Sequence, residues 1–357
     1  MLVRNPSWER ATDRLRPAYP DRIELTLGGD DDQIAGLVDT GVLDLVYGAA
    51  APLTQVSRYR GDPELQERVF SHPSDSMFGV TMNPAVPPFD DVHVRRAVAL
   101  AIDRSALVAM LDQPPHGPFG QHLGEVATHS ALDALEGDLL GGFDPYPYDP
   151  ARARGEMRLS SYDNDGDGRC DAPACRGIQA IVQDVAIFPE QARAVAADLE
   201  RVGIDLQLSD RPTAPEDRFH TPLFDLSSRT PMSIGFGWAK DLPVGSSWFA
   251  DLFGSAGCCR PSPLGASPAQ LRMWGYSVTS VPGVDDRIRL CLSRRGVAYT
   301  QCWAELDQYL TTEVVTWIPF MSMQRTHVVS ERVVAYSFDQ SFAEPALDRI
   351  ALAPGSS

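Results

Sequence analysis

The chain has 357 residues, of which 43% are hydrophobic and 22% charged, and this composition excludes a globally disordered protein. The 48 acidic and 31 basic residues give a formal net charge of −17, which opposes binding to nucleic acid or to an anionic membrane surface. Arg, Asp, Gly or Pro interrupts every hydrophobic run before it reaches the roughly 20 residues that a membrane-spanning helix needs. The length is sufficient for two domains.

The first half of the chain predicts a short strand, helix and strand over residues 22–47, because apolar alternation flanks an acidic helix start at Asp30 and a stop at Gly41. Apolar residues at helical spacing predict one helix over 91–111. The Gly-, Pro- and His-rich segment 112–147 is expected to run over the surface.

The later elements begin with a helix at Asp149, an N-cap residue that is followed by proline. Residues 178–208 predict a strand, a helix and a second strand, which form a parallel pair with a right-handed crossover. The apolar run 232–238 predicts another strand. Two helices over 285–315 and strands around 327–336 complete the expected α/β fold class.

The loop after the 232–238 strand is a candidate ligand site, because open α/β sheets bind ligands at the carboxyl ends of their strands. Asp241 lies in this loop beside Lys240, the only lysine of the chain, and follows Phe236 and Trp238. Its carboxylate could hold a cationic ligand group. The alternative interpretation is an ordinary exposed loop acid.

The segment DNDGDGRCD has the alternating oxygen ligands of a calcium-binding loop. Its candidate ligands are Asp163, Asp165, Asp167, the backbone carbonyl of Arg169, and Asp171. Ala174 occupies the twelfth position, where an EF-hand has a bidentate glutamate, so an ordinary EF-hand is excluded. The alternative is a solvated acidic turn held by Asx hydrogen bonds.

Six cysteines with local spacing suggest disulfides and therefore an oxidising compartment, although reduced thiols remain the alternative. The expected bridges are Cys170–Cys175 and Cys291–Cys302, while the adjacent Cys258 and Cys259 are left undecided. The opening MLVRNPSWER lacks the apolar core of a secretory signal, so we expect either a cytosolic protein or a missing N-terminus.

No GxSxG, HExxH, Walker or GxGxxG motif occurs in the sequence, which favours a binding protein over an enzyme. His116, His122 and His129 have spacings of six and seven, which fit neither one helix face nor one strand face. A metal site built from these histidines is therefore disfavoured.

The segment PPFDDVHVRRAVALAIDRSALV at 87–108 resembles the most recognisable segment of the extracellular solute-binding proteins of ABC transporters, family 5, the peptide/nickel-type group. Further similar segments are RNPSWERATDRLRPAYPDRIEL at 4–25, DTGVLDLV at 39–46, YDPARARGEM at 148–157, FPEQARAVAADLERVGIDLQL at 188–208 and CWAELDQYLTTEVVTWIPFM at 302–321. The DNDGDGRCD loop stands where many members have Asp-Thr-Asp-Gly-Asp-Gly.

The resemblance implies a type II periplasmic-binding fold, in which two α/β lobes surround a cleft. It assigns residues 1–75 to a partial lobe I, 76–321 to lobe II and 322–357 to the return into lobe I. The N-terminal part of lobe I and the family's extra domain are expected to be missing. The implied location is extracytoplasmic, in the periplasm or at the cell surface, with a lipid anchor on the full-length protein.

The function implied by the resemblance is capture of peptides or a similar small organic solute by lobe closure, for delivery to an ABC permease in the membrane. No cofactor is required, apart from a possible structural calcium ion. Asp241 is the implied partner of the ligand's α-ammonium group, and Phe236, Gly237, Trp238 and Ala239 are the implied neighbours of the ligand.

Two points of this interpretation stay open at the level of sequence. Asp-Leu-Pro-Val stands where peptide binders often have Asp-Tyr-x-Asp-Pro, so the solute is undetermined, and Arg218 and Arg229 are only guesses for its carboxylate partner. The alternative function is a calcium-organised secreted structural or adhesive module without a transport role, which the acidic segment 163–171 motivates.

Overall fold

The structure is a computed structural model that describes residues 1–112, 124–132, 135–185, 187–209 and 219–354. The helices are α1 Asp31–Asp39, α2 Leu53–Arg60, α3 Val92–Ala101, α4 Arg104–Ala109, α5 Pro150–Leu159, α6 Phe188–Glu200, α7 His220–Phe224, α8 Gly245–Phe253, α9 Pro268–Met273, α10 Asp285–Ser293 and α11 Val297–Tyr309. The strands are β1 Leu2–Val3, β2 Arg22–Ile23, β3 Val69–Met82, β4 Gly124–Val126, β5 Ile178–Val182, β6 Leu206–Leu208, β7 Met232–Ala239, β8 Trp317–Val328, β9 Val333–Ala335, β10 Phe338–Asp339, β11 Glu344–Pro345 and β12 Ala351–Leu352. Among the described helices, none has both the length and the apolar character needed to cross a membrane.

Two compact units divide the chain. The described residues of the first unit are Met1–Asp75 and 323–354, and those of the second unit are 76–112 and 124–322, with the gaps given above. The assignment of such units to lobes of a binding protein stays a prediction.

The first unit contains the helix expected near Asp30, whose side chain caps α1 by accepting a hydrogen bond from the Gln33 N–H. The flanking strands were wrongly predicted. β2 has only two residues, which pair antiparallel with β1, and residues 43–47 form no strand. Leu27 is 92% exposed, so the apolar alternation there is not matched by a buried face. The core of this unit lies around Val38, Val56, Tyr59 and Val328.

A six-stranded sheet organises the second unit, in the order β4-β8-β3-β7-β5-β6. β5 pairs parallel with β6 and with β7, whereas β3 pairs antiparallel with β7. The crossover from β5 to β6 passes through α6, which has Pro189 in its first turn. The chain turns after α6 at Gly203, where φ is +83° and a side chain would collide with the backbone of Cys170. The predicted strand, helix and strand over 178–208, with the two strands parallel, are therefore confirmed.

The helix expected over 91–111 is divided into α3 and α4, because Asp103 caps a new helix by accepting a hydrogen bond from the Ala106 N–H. The N-cap predicted at Asp149 is confirmed, since its carboxylate accepts the N–H groups of Ala151 and Arg152. Two helices over 285–315 are also confirmed, as α10 and α11, and a π-helical turn at Leu310–Val314 follows α11.

The core of the second unit is rich in aromatic side chains. Trp248 stacks on Trp317 with ring centroids 5.8 Å apart, and Phe249 stacks on Trp303 at 5.5 Å. All four rings are buried. Offset stacking of this kind adds to the free energy gained by burial, so the two ring pairs hold α8 against β8 of the sheet and against α11.

Candidate functional site

The candidate site lies where β7 ends and α8 begins. Residues 240–244, named here the β7–α8 loop, connect the two elements. The Ser247 hydroxyl donates to the carbonyls of Leu242 at 2.9 Å and Val244 at 3.0 Å, which closes the loop against the first turn of α8. Gly245 touches the ring of Trp303, where a larger side chain would collide. The position of the loop is therefore fixed by α8 and by the core beneath it.

Burial decreases along the last residues of β7, from the fully buried Phe236 to the exposed Ala239. Phe236 is fully buried and meets Trp317 edge to face, with centroids 5.6 Å apart. Its side chain belongs to the core of the second unit, and its contact with a solute stays a prediction. Gly237 pairs with Phe78 of β3, whose ring occupies the space that a side chain at Gly237 would need. Glycine is therefore required here by packing.

Two further predicted residues, Trp238 and Ala239, lie next to the loop. Trp238 is half-buried, and its Nε1 atom has no hydrogen-bond partner among the described residues. A buried donor without a partner costs free energy. If the surface opened, a hydrogen-bond acceptor on a solute could provide the partner for this indole. Ala239 is exposed at the strand end and pairs with Ser76. The structure thus places both residues beside Asp241.

Asp241 is exposed in the β7–α8 loop, and a second carboxylate lies near it. Burial, followed by the negative charge of Asp241, raises the pKa of the half-buried Asp251 carboxyl on α8. Like charges that oppose each other's ionisation favour a nearby cation or a proton. The sequence analysis missed Asp251, because nothing in a single amphipathic helix indicates that its acidic residue faces the preceding loop.

A buried polar network supports α8 through Trp248. The Trp248 indole N–H donates to the Ser130 carbonyl at 2.8 Å, and the Ser130 N–H donates to Asp307 Oδ1 at 2.7 Å. The Thr311 hydroxyl donates to the same oxygen at 3.0 Å, and His129 Nδ1 lies 2.8 Å from Asp307 Oδ2. Both oxygens of Asp307 therefore have partners, as a fully buried carboxylate requires.

This network also brings His129, Glu136 and Asp307 together, with ligand atoms that all lie within 4.8 Å of one another. A metal site of His116, His122 and His129 was disfavoured on their spacing, and His129 lies in this group with two carboxylates. His116 and His122 lie outside the described residues. Asp307 already binds Ser130, Thr311 and His129, so the group is a structural connection between α11 and the segment around His129.

The two arginines suggested for a ligand carboxylate do not extend this site. Arg218 lies outside the described residues. Arg229 precedes β7 and donates to the Gly275 carbonyl at 2.9 Å. Arg229 and Asp241 flank opposite ends of β7, which at about 3.3 Å per residue is roughly 23 Å long. One short solute would not contact both residues.

The predicted calcium loop, residues 163–171 and named here the acidic loop, is closed by its own carboxylates. Asp163 accepts the N–H groups of Gly166 and Gly168, each at 2.8 Å. Asp165 and Asp167 accept N–H groups two residues further on, at 3.1 and 2.8 Å. The carboxylates of these three aspartates lie within 4.8 Å of one another. The loop therefore shows the Asx turns of the alternative interpretation together with three converging ligands.

The other two predicted calcium ligands have different surroundings. Asp171 Oδ1 accepts both the backbone N–H and the side-chain amide of Asn164, at 2.9 and 2.6 Å, and it is not one of the three converging groups. The Arg169 guanidinium donates to the carbonyls of Glu200 and Arg201, both at 3.0 Å. These bonds attach the loop to the end of α6, and calcium binding stays a prediction.

The disulfides Cys170–Cys175 and Cys291–Cys302 are both present, with Cα atoms 6.1 and 5.3 Å apart. The first bridge joins Cys170, near the end of the acidic loop, to Cys175. The second joins α10 to α11. Cys258 and Cys259 are not bonded to each other, and Cys258 is exposed.

The sequence profile of the bacterial extracellular solute-binding proteins, family 5 Middle, matches residues 1–257. The glutathione-binding protein GsiB of Pectobacterium atrosepticum is 28% identical over 141 residues, which are 38% of this chain and 24% of that protein.

Solved structures share the fold. The clavulanic acid biosynthesis oligopeptide binding protein 2 is 23% identical, with a TM-score of 0.72 over 98% of this chain and 60% of its own. The oligopeptide-binding protein AppA of Bacillus subtilis, solved with a nonapeptide, is 15% identical, with a TM-score of 0.56 over 91% of this chain and 59% of its own. The chain thus spans about three fifths of the length of these structures.

Proposed function

The chain belongs to the bacterial extracellular solute-binding proteins of family 5, and from this membership we propose that it captures a peptide, or a similar small organic solute with a cationic end, for an ABC permease. The named relatives bind glutathione or oligopeptides, which supports a solute of this size and chemistry. Capture is reversible and involves no covalent chemistry on the solute. The identity of the solute is the open part of the proposal.

The observation that carries the proposal is the pair of neighbouring carboxylates, Asp241 and Asp251. Burial, followed by the negative charge of Asp241, raises the pKa of Asp251, and a cationic group placed between solvent and the pair would relieve the unfavourable interaction of the two charges. The α-ammonium group of a peptide has the required charge and three hydrogens to donate. Asp241 is exposed and can form a charge-assisted hydrogen bond with it.

The proposed location is extracytoplasmic, in accordance with the family. Two disulfides support this proposal, because such bonds persist in oxidising compartments. The alternative of a calcium-organised structural or adhesive module has no support from the matches reported above, which are all to solute-binding proteins. We therefore do not pursue it as a function.

Calorimetric titration with a library of short peptides and amino acids tests the proposal. We expect saturable binding that Asp241→Asn weakens by about 10- to 100-fold, because a hydrogen bond to a charged group contributes about 1.5–3 kcal/mol. Acetylation of the α-amino group of the best peptide should cause a similar loss. Asp286→Asn is the matched control, since it removes an exposed carboxylate from α10. Equal affinity of Asp241→Asn and wild type would refute the assigned role of Asp241.

A further inference from the structure

The adjacent cysteines 258 and 259 lie in the segment between α8 and α9, and both ends of this pair are held in place. On one side, Gly257 packs directly against the Asp251 carbonyl, and its N–H donates to the Gly254 carbonyl at 3.0 Å. On the other side, the Arg260 guanidinium donates to the Leu264 carbonyl at 3.1 Å and lies 5.7 Å from the Trp274 ring centroid. The pair is therefore presented at a defined place on the surface.

The two thiols differ in exposure. Cys258 is exposed, whereas Cys259 is half-buried. Burial, together with a hydrogen bond between the two thiols and the charges of Asp251 and Asp241, raises the pKa of the Cys259 thiol to about 12. Because a thiolate is the attacking species in exchange with disulfides, Cys258 is the thiol that reacts first.

We propose that Cys258 and Cys259 are a thiol-modification site, which a low-molecular-weight disulfide converts into a reversible vicinal disulfide. In the first step the Cys258 sulfur attacks the disulfide, forms a mixed disulfide and releases one thiol. In the second step the Cys259 sulfur attacks the Cys258 sulfur and releases the second thiol. Two protein thiols are oxidised, one external disulfide is reduced to two thiols, and the two protons move to those thiols.

The vicinal bond is reversible because its geometry is unfavourable. Adjacent Cα atoms are about 3.8 Å apart across a trans peptide, whereas bridged cysteines usually have Cα atoms roughly 4.4–6.8 Å apart. The two existing disulfides, at 6.1 and 5.3 Å, lie inside that range. A disulfide outside it is strained and more easily reduced. Cys258 and Cys259 therefore remain reducible under conditions that leave the other two bridges intact.

Mass spectrometry with oxidised glutathione as the probe tests the proposal. The wild-type protein, treated first with a mild reductant, should lose two hydrogens, retain no adduct, and show a 258–259 bond in the peptide map. Cys259→Ser should keep one glutathione on Cys258, because the resolving thiol is gone. The rate of reaction of Cys258→Ser should be at least about tenfold lower than that of wild type, because its remaining thiol is protonated and half-buried.

The Cys258→Ser/Cys259→Ser double variant is the control for reaction at the other four cysteines. Cys259→Ala repeats the trapping experiment if Cys259→Ser does not fold. A wild-type protein that keeps both thiols free, retains the glutathione adduct, or crosslinks to a second copy would overturn the proposal. None of these readouts involves a solute, so the result does not depend on the proposed function.

Discussion

The acidic loop and the β7–α8 loop both contain aspartates that the sequence marks as ligands, but their carboxylates have different surroundings. In the acidic loop, Asp163, Asp165 and Asp167 accept backbone N–H groups two to five residues away. In the β7–α8 loop, Asp241 is exposed, and its effect is seen on Asp251 of the following helix. The carboxylates of the first loop have partners within that loop, whereas the position of the second loop depends on elements distant in sequence.

This difference distinguishes a carboxylate with a structural role from one that is available for binding. In the acidic loop, backbone N–H groups satisfy carboxylate oxygens without a ligand. At the β7–α8 loop, burial and then the charge of Asp241 raise the pKa of Asp251, and an approaching cation would relieve the interaction of the two charges. The β7–α8 loop is therefore the better candidate for a solute, and the acidic loop for structural support.

The largest expected effect is a loss of stability when the buried network around Asp307, on which the β7–α8 loop depends, is broken. Asp307→Ala should lower the free energy of unfolding by about 3 kcal/mol or more, because it leaves His129 and the Ser130 N–H buried without their partner. Urea denaturation followed by tryptophan fluorescence measures the change. The same variant should weaken solute binding, since Trp248 holds α8 through Ser130.

Thr311→Val is the milder control for Asp307→Ala, because it removes only one of the hydrogen bonds to Asp307 and should cost about 1 kcal/mol. If Asp307→Ala lowers the free energy of unfolding by less than Thr311→Val does, the network does not support the loop. The contrast between a self-contained loop and a dependent loop would then disappear.

The sequence predicted those features that are encoded by neighbouring residues. Asp30 and Asp149 cap their helices as expected, and β7 ends just before Asp241. Leu27 failed as a strand residue because burial depends on a partner surface, which alternation alone does not provide. The approach of Asp251 to Asp241 was not predictable for the same reason.

The same limit applies to the buried network. His129 and Asp307 are 178 residues apart in sequence, and only the packing of α11 brings them to 2.8 Å. A single sequence contains no local signal for such a contact. The family segments nevertheless identified the α/β fold correctly, because they combine capping residues, glycines and apolar spacing in one recognisable order.

The intermediate effect concerns the acidic loop. We predict that millimolar calcium raises the melting temperature of the wild-type protein and that Asp165→Ala abolishes this shift, because three converging carboxylates then become two. A calcium concentration ten times the dissociation constant corresponds to about 1.4 kcal/mol of stabilisation. Differential scanning calorimetry with calcium, and with a chelator, measures the shift.

Asp286→Asn provides the matched control for the calcium experiment, since it removes one exposed carboxylate outside the loop and should keep the full shift. A wild-type melting temperature that is the same with calcium and with chelator would mean that the Asx hydrogen bonds alone hold the acidic loop. Such a result would make the loop self-contained in the strict sense and would sharpen its contrast with the β7–α8 loop.

The smallest expected effect tests the repulsion between Asp241 and Asp251 directly. A carboxyl whose pKa is raised on folding contributes stability below its unfolded pKa of about 3.9, and this contribution is lost as the pH rises through the folded value. At neutral pH the ionised Asp251 therefore destabilises the fold. Asp251→Asn should raise the free energy of unfolding at pH 7 by a few tenths of a kcal/mol, since Asp251 is half-buried and screened by solvent.

Urea denaturation of wild type and Asp251→Asn at pH 7 and at pH 3.5 measures this difference, which should largely vanish at the lower pH, where the wild-type carboxyl is mostly protonated. Asp241→Asn should reduce the advantage of Asp251→Asn at pH 7, because burial is then the remaining cause of the raised pKa. Added salt should also reduce the stability advantage of Asp251→Asn at pH 7, since it screens the charge of the exposed Asp241. If Asp251→Asn is equally destabilising at both pH values, the carboxylate of Asp251 forms favourable contacts instead, and the two loops do not differ in the way argued above.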